Sequence, residues 1–181
     1  LLLFQRCELE SVIINVADPF GERFAASGLS AQLWTFGEDA KADVYPRAID
    51  VHRSGITLHL ASPSGEIAFE SILRGRFNAA NLMAVATTLL ALGYSPEDIS
   101  QVMTDLLPIP GRLEFCPGSG GSRPTVVVDY AHSPEALSQA LTALRPYTDG
   151  RLWCVFGCGG ERDRGKRALM GERASSLADR V

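Results

Sequence analysis

The sequence predicts an α/β fold, and two observations carry that prediction. Leu152 to Phe156 is an unbroken apolar run of strand length, the pattern of a strand covered on both faces. It runs into Gly157, Gly159 and Gly160, then a charge cluster from Glu161 to Arg167, and from Leu169 the apolar spacing turns helical. Met170, Ala174, Leu177 and Val181 then share one helix face. The second observation is order: from Arg112 onward the chain reads strand, helix, strand, helix, which implies parallel strands joined by right-handed crossovers. The charged loop after Phe156 then lies at the carboxyl end of a strand, where open α/β sheets bind ligands.

The elements before that region can be taken in order. Ser11 to Val16 is a short β-branched strand, and Asp18-Pro19 signals a helix start, with a helix over 19–27 ending near Gly28. Gln32 to Phe36 is a further strand closed by Gly37. Ala48 to Arg53 and Ile56 to Leu60 flank Ser54-Gly55, the composition of a tight hairpin, and Glu66 to Leu73 joins them after the turn at Pro63-Ser64-Gly65. A helical hairpin follows. Leu82, Val85, Ala86, Leu89 and Leu90 form the inner stripe of its first helix, which ends at Gly93. Ser95 caps the second, with Pro96 in its first turn and Ile99, Val102, Met103, Leu106 and Leu107 as its stripe. Pro108-Ile-Pro-Gly111 breaks that helix and marks a boundary, so the chain divides into residues 1–107 and 111–181. Beyond it, Arg112 to Cys116 is a strand, Thr125 to Val128 a buried strand, and Ser133 caps a helix whose inner face is Ala136, Leu137, Ala140, Leu141 and Leu144.

Composition narrows the classes of function. With 181 residues, 46% of them hydrophobic, the chain can build a real core. A net charge of −4 argues against general nucleic-acid or membrane-surface binding. No apolar run approaches the roughly 20 residues of a membrane span. Cys7, Cys116, Cys154 and Cys158 match no zinc spacing and read as reduced, structural thiols of a cytoplasmic protein. With no initiator methionine, the chain reads as a piece of something longer.

Two phosphate motifs fail. Gly160, Gly165 and Lys166 fit the start of G-x-x-x-x-G-K-[ST], but Arg167 stands where a hydroxyl is required, and Glu161 and Asp163 repel phosphate. The G-x-G-x-x-G fingerprint opens at Gly157 and ends wrongly on Arg162. The loop keeps the features of an anion site: flexible glycines, cationic side chains and a helix start. Asp129, at a strand end, either accepts from a ribose or caps the next helix. His132, before the Ser-Pro helix start, either contacts a ligand or bonds its own loop. Asn78 reads as an N-cap, whereas Asn81, one turn in, has no capping need and is a candidate ligand contact. Arg112 suits a phosphate or a surface ion pair equally.

Five segments in consistent order resemble one family: Gly75-Arg-Phe-Asn-Ala-Ala-Asn81, the Gly93-Tyr94 helix end, Pro110-Gly-Arg-Leu-Glu114, Val128-Asp-Tyr-Ala-His-Ser-Pro134 and the stretch from Trp153 to Arg167. They resemble the Mur ligases, and within them the MurE type. The resemblance implies that residues 1–107 are the closing half of a central ATP-binding domain, and residues 111–181 the opening half of a Rossmann-like C-terminal domain that brings the amino acid. It implies an enzyme using ATP and Mg2+ to join meso-diaminopimelate or L-lysine to UDP-MurNAc-L-Ala-D-Glu in peptidoglycan synthesis. By the same resemblance Asn78 and Asn81 lie against adenine, and Arg112 and Asp129 reach the nucleotide. Arg162 binds a carboxylate of the incoming diamino acid, with His132 and Lys166 nearby. The family's phosphate loop, metal carboxylates and carbamylated lysine have no counterpart in these residues, so the fragment alone is expected to be inactive.

Rival readings are a folylpolyglutamate synthase-like ligase of the same architecture, a non-catalytic nucleotide-binding module, and a nicotinamide dehydrogenase fragment. The Asp-Tyr-Ala-His and Gly-Cys-Gly-Gly stretches favour the MurE type over the first, and the failed fingerprint disfavours the last. No nucleic-acid partner and no membrane insertion are expected.

Overall fold

A computed structural model describes residues 8–116, 118, 124–159 and 163–181. The chain forms two compact units, Leu1–Leu106 and Leu107–Val181.

The first unit opens with β1 (Ser11–Asn15), α1 (Pro19–Ala25) and β2 (Gln32–Phe36). β1 and β2 pair in parallel, so α1 lies in the connection between two parallel strands. The Asp18 carboxylate starts α1 by accepting from the N–H groups of Phe20 and Gly21, and Pro19 needs no donor there. Gly21 is required by close approach: a Cβ at this position would be driven into the backbone oxygen of Asn15.

β3 (Tyr45–His52), β4 (Gly55–Ser62) and β5 (Gly65–Ser71) form an antiparallel meander in that order, as the alternation predicts. His52 pairs with Gly55, and Ser62 with Gly65, so both turns are two-residue hairpins. β4, at the centre, buries Ile56, Leu58 and Leu60 completely. α2 (Phe77–Ala91) and α3 (Pro96–Thr104) complete the unit. α2 ends on Gly93 at φ +88°, with the N–H of Gly93 bonded to Leu90 O and that of Tyr94 to Leu89 O. Ser95 caps α3 by accepting from Asp98 N, and Ser100 Oγ accepts from Ala68 N on the outer edge of β5.

The core includes Val44, Ile56, Leu58, Leu60, Ile67, Leu82, Met83, Ala86, Ile99 and Met103. The expected helix stripes shift slightly. Ala79, Met83 and Thr87 join Leu82, Ala86 and Leu90 on the buried face of α2, while Val85 is exposed. Val102 and Leu107 are also exposed, Leu107 because α3 has already ended at Thr104. Thr87 is accommodated because its hydroxyl donates to Met83 O.

In the second unit β6 (Glu114–Cys116) pairs with β7 (Val126–Val128), and α4 (Pro134–Leu144) starts on Ser133, whose oxygen accepts from Ala136 N. α5 (Gly165–Leu177) packs with α4 over Leu152 and Cys154 to give a small core with Leu137, Leu141, Met170 and Ala174. β6 and β7 pair antiparallel, a direction that the sequence left open. Three expectations are corrected. Leu152 to Phe156 forms no strand, only an isolated parallel bridge between Trp153 and Arg180, and its burial alternates: Leu152 and Cys154 face the helices, while Trp153 is 65% and Val155 95% exposed. The helices cover one face only, and among the described residues no layer covers the other. Val126 and Val128 of the expected buried strand are likewise exposed. Val181 lies beyond the end of α5 and is exposed, so it does not extend the helix face.

The chain after α5 returns alongside Leu152. Asp179 Oδ2 accepts from Leu152 N at 2.7 Å and from Arg145 Nη1 at 2.9 Å, while Arg145 Nη2 donates to Leu177 O at 2.8 Å. The Leu152 amide, and then the Arg145 guanidinium, hold the Asp179 carboxyl below the usual carboxylate range.

Gly21→Ala is expected to destabilise the first unit by about 1–3 kcal/mol in urea unfolding, because strand and helix must separate to admit the methyl group. Since Asp179 has a depressed folded pKa, its contribution is present above the unfolded value near ~4 and lost as pH falls through the folded one. Thermal melting of Asp179→Asn is therefore expected to show a lower midpoint at neutral pH and a smaller further loss on acidification than the parent chain. An equal acid loss in both would show that this carboxylate does not carry it.

Candidate functional site

Of the nominated residues of the second unit, Arg112 and Asp129 meet at one loop, Pro110 to Glu114, and His132 and Lys166 follow from it through Tyr130. Gly111 has φ +74° and Leu113 has φ +44°, a left-handed conformation that costs a leucine about 1–2 kcal/mol. Three ties hold it there. Glu114 Oε2 accepts from Gly111 N at 2.8 Å, Asp129 Oδ2 accepts from Leu113 N at 2.9 Å, and the Leu113 side chain is buried. Arg112 lies between these anchored positions and is exposed, its guanidinium carbon 4.7 Å from the centre of the Tyr130 ring.

Asp129 follows β7 directly. Its second oxygen accepts from Ala131 N at 2.8 Å, so the carboxylate joins the Arg112 loop to the turn before α4. It does not cap α4, since Ser133 does. Each carboxylate oxygen has two lone pairs, so acceptor capacity remains on Asp129 after both bonds.

His132 is exposed, with Nδ1 3.2 Å from Tyr130 O and its ring edge-on to Tyr130. Lys166, in the first turn of α5, is half-buried and donates from Nζ to His132 O at 3.3 Å. Its own backbone N–H is bonded to Asp163 Oδ1 at 3.2 Å. A carboxylate therefore already meets an amide at this helix start, which weakens the reading of the loop as an open anion cradle. Arg162, together with Gly160 and Glu161, lies outside the described residues. Cys154 is buried, which pushes its thiol pKa up and keeps it protonated, in keeping with a packing role.

In the first unit, Asn78 is not an N-cap. α2 begins one residue earlier, at Phe77, and the Asn78 side chain sits in the first turn with Nδ2 donating back to Arg74 O at 2.7 Å. Asn81 Nδ2 donates to Asn78 Oδ1 at 3.0 Å, so the two amides form one chain along the start of the helix. Asn81 is exposed and keeps its carbonyl oxygen for an outside donor.

Sequence reasoning did not single out Tyr130 or Glu114, nor the left-handed Leu113. The spacing of Glu114 three residues after Gly111 was a signal, since a side chain at that distance reaches back to the turn's N–H. Among the described residues no three His, Cys, Asp or Glu side chains group to hold a metal ion, so Mg2+ cannot be assigned to them.

This geometry can be compared with known proteins. A sequence model described as the Mur ligase middle domain matches residues 1–89, and one described as the Mur ligase, glutamate ligase domain, matches residues 111–181. The chain belongs to the Mur ligase family. A curated relative from Gloeobacter violaceus, named UDP-N-acetylmuramoyl-L-alanyl-D-glutamate--2,6-diaminopimelate ligase, is 45% identical over 92% of this Mur ligase chain and 34% of its own length. A solved structure of a ligase of that name is 35% identical, with a TM-score of 0.68 over 97% of this chain and 37% of the other. Folylpolyglutamate synthetase from Lactobacillus casei has a TM-score of 0.72 at 21% identity, covering 94% of this chain and 42% of its own, a likeness of fold alone. The chain thus spans a little over a third of the length of the curated relatives it matches.

Asp129→Ala leaves the amides of Leu113 and Ala131 without their acceptors, at a cost of about 1–2 kcal/mol. Amide hydrogen exchange is expected to speed up at both positions. Asp129→Asn, with one acceptor oxygen, should retain protection at only one of them. Unchanged exchange at Leu113 in the alanine variant would refute the tie.

Proposed function

We propose that this chain is part of an ATP-dependent ligase that adds meso-diaminopimelate to UDP-MurNAc-L-Ala-D-Glu in the cytoplasm. The observation that carries the proposal is the 45% identity to a ligase of that name, which extends over 92% of the chain and so takes in both units. The clustering of Arg112, Asp129, His132 and Lys166 in the second unit supports it.

In this reading residues 1–107 belong to the central ATP-binding domain and residues 111–181 to the Rossmann-like C-terminal domain. A carboxylate oxygen of the D-glutamyl residue takes the γ-phosphoryl group of ATP, and ADP leaves. The diamino acid's amine then attacks the acyl carbon; the tetrahedral intermediate expels phosphate and the amine gives up a proton. Water must be kept from the acyl phosphate, and the amine must be held in line.

The residues of this chain bind and orient. The Asn81 carbonyl oxygen accepts from the adenine amino group, with the amide chain through Asn78 to Arg74 O fixing its direction. The lone pairs left on Asp129 accept from ribose hydroxyls. Arg112 presents a planar fork to the phosphates, whose charge it complements. Arg162 takes a carboxylate of the diamino acid in the same bidentate way, with Lys166 and His132 beside that subsite. No step is assigned to a metal ion.

The folylpolyglutamate synthase-like alternative shares the fold, but at 21% identity that likeness carries no chemistry. The test is phosphate release by the full-length protein carrying this sequence. Turnover is expected only with ATP, the UDP-linked dipeptide and diaminopimelate together, and Arg162→Ala is expected to raise the KM for diaminopimelate at least tenfold with little change for ATP. Turnover with a folate substrate, with lysine in preference, or without the UDP-linked dipeptide would overturn the assignment.

A further inference from the structure

Tyr130 has no role in the binding scheme above, yet it sits at the centre of the site. The residue is 65% exposed, so burial does not explain its placement. The Arg112 guanidinium lies over it at 4.7 Å, and the His132 ring meets it edge-on at 5.6 Å with an interplanar angle of 67°. The backbone on either side of Arg112 is already fixed by the Gly111–Glu114 and Leu113–Asp129 bonds, so the freedom left to the guanidinium is in its own side-chain torsions. An aromatic face beside the guanidinium removes much of that freedom, since the cation is attracted to the ring's face and not its rim, and Arg112 stays exposed to an anion.

We propose that Tyr130 is a positioning residue whose ring holds the Arg112 guanidinium ready for the nucleotide phosphates. This rests on the reading of Arg112 as a phosphate contact. Tyr130 acts through Arg112 and touches no phosphate itself. The ring does the positioning, so the hydroxyl is dispensable. A stack at an exposed site strengthens the contact only modestly, and removing it is expected to raise the KM for ATP about two- to fivefold.

Two measurements separate this inference from the reading beneath it. In the 181-residue chain, NMR of the Arg112 side chain is expected to show an upfield ring-current shift of its Nε–H and δ protons. That shift persists in Tyr130→Phe and disappears in Tyr130→Leu. No shift in the parent chain overturns the positioning role whatever the kinetics show. In the full-length protein, Arg112→Ala is expected to raise the KM for ATP about tenfold or more, Tyr130→Leu about two- to fivefold, and Tyr130→Phe to match the parent. The double variant Arg112→Ala/Tyr130→Leu should be no worse than Arg112→Ala alone. An additional loss in the double variant shows that Tyr130 does not act through Arg112, and overturns the inference while the phosphate reading stands. An unchanged KM in Arg112→Ala removes the phosphate reading, and with it the purpose proposed for the stack, even where the ring-current shift confirms the stack itself.

Discussion

The second unit depends on one carboxylate. Asp129 bonds Leu113 N with one oxygen and Ala131 N with the other, and so joins the end of β7, the start of the α4 turn and the loop that carries Arg112. Leu113 could not keep φ +44° without compensation, because an L-residue with a Cβ is disfavoured there. Burial of the leucine side chain and the bond to Asp129 offset that cost. The strain is local, and it sits beside the residues that the family resemblance assigns to the nucleotide, where stored strain tends to collect.

Much of the chain's local structure was legible because its signals are local. Asp18-Pro19, Ser95-Pro96 and Ser133-Pro134 each state a helix start in two residues, and each serine or aspartate accepts the amide bond its position predicts. The hairpins are nearly as clear: the second turn, at 63–64, lies within Pro63-Ser64-Gly65, whereas the first falls at 53–54, one residue before Ser54-Gly55, with Gly55 paired to His52. Packing was less legible. Periodicity identifies a face of a helix but not its limits, which is why Val85 and Val102 belong to the apolar stripe and still meet solvent.

The second unit was misread where the evidence was non-local. A continuous apolar run says that a strand is apolar on both faces, not which neighbours cover them. Leu152 and Cys154 have α4 and α5; Trp153 bridges Arg180 through its backbone, but its side chain and that of Val155 are exposed. Two strand segments separated by a glycine-rich stretch do not disclose their direction, and the antiparallel pairing of β6 and β7 came from the structure alone. Asn78 was misplaced because the helix boundary lies two residues earlier, with Arg76 at the N-cap position, enough to convert a cap into a side-chain bond within the first turn.

For Asp129 the sequence offered two readings, a ligand contact or a structural bond, as though one excluded the other. The geometry argues that a carboxylate can do both. Its two backbone bonds fix the rotamer, and they use only part of its acceptor capacity. A carboxylate free of such bonds would have to be ordered each time a ligand arrived, at a cost in side-chain entropy. One already held by Leu113 and Ala131 has met that cost in folding. The amide chain from Arg74 through Asn78 to Asn81 follows the same logic in the first unit: the inner asparagine is consumed structurally, and the outer one is thereby aimed.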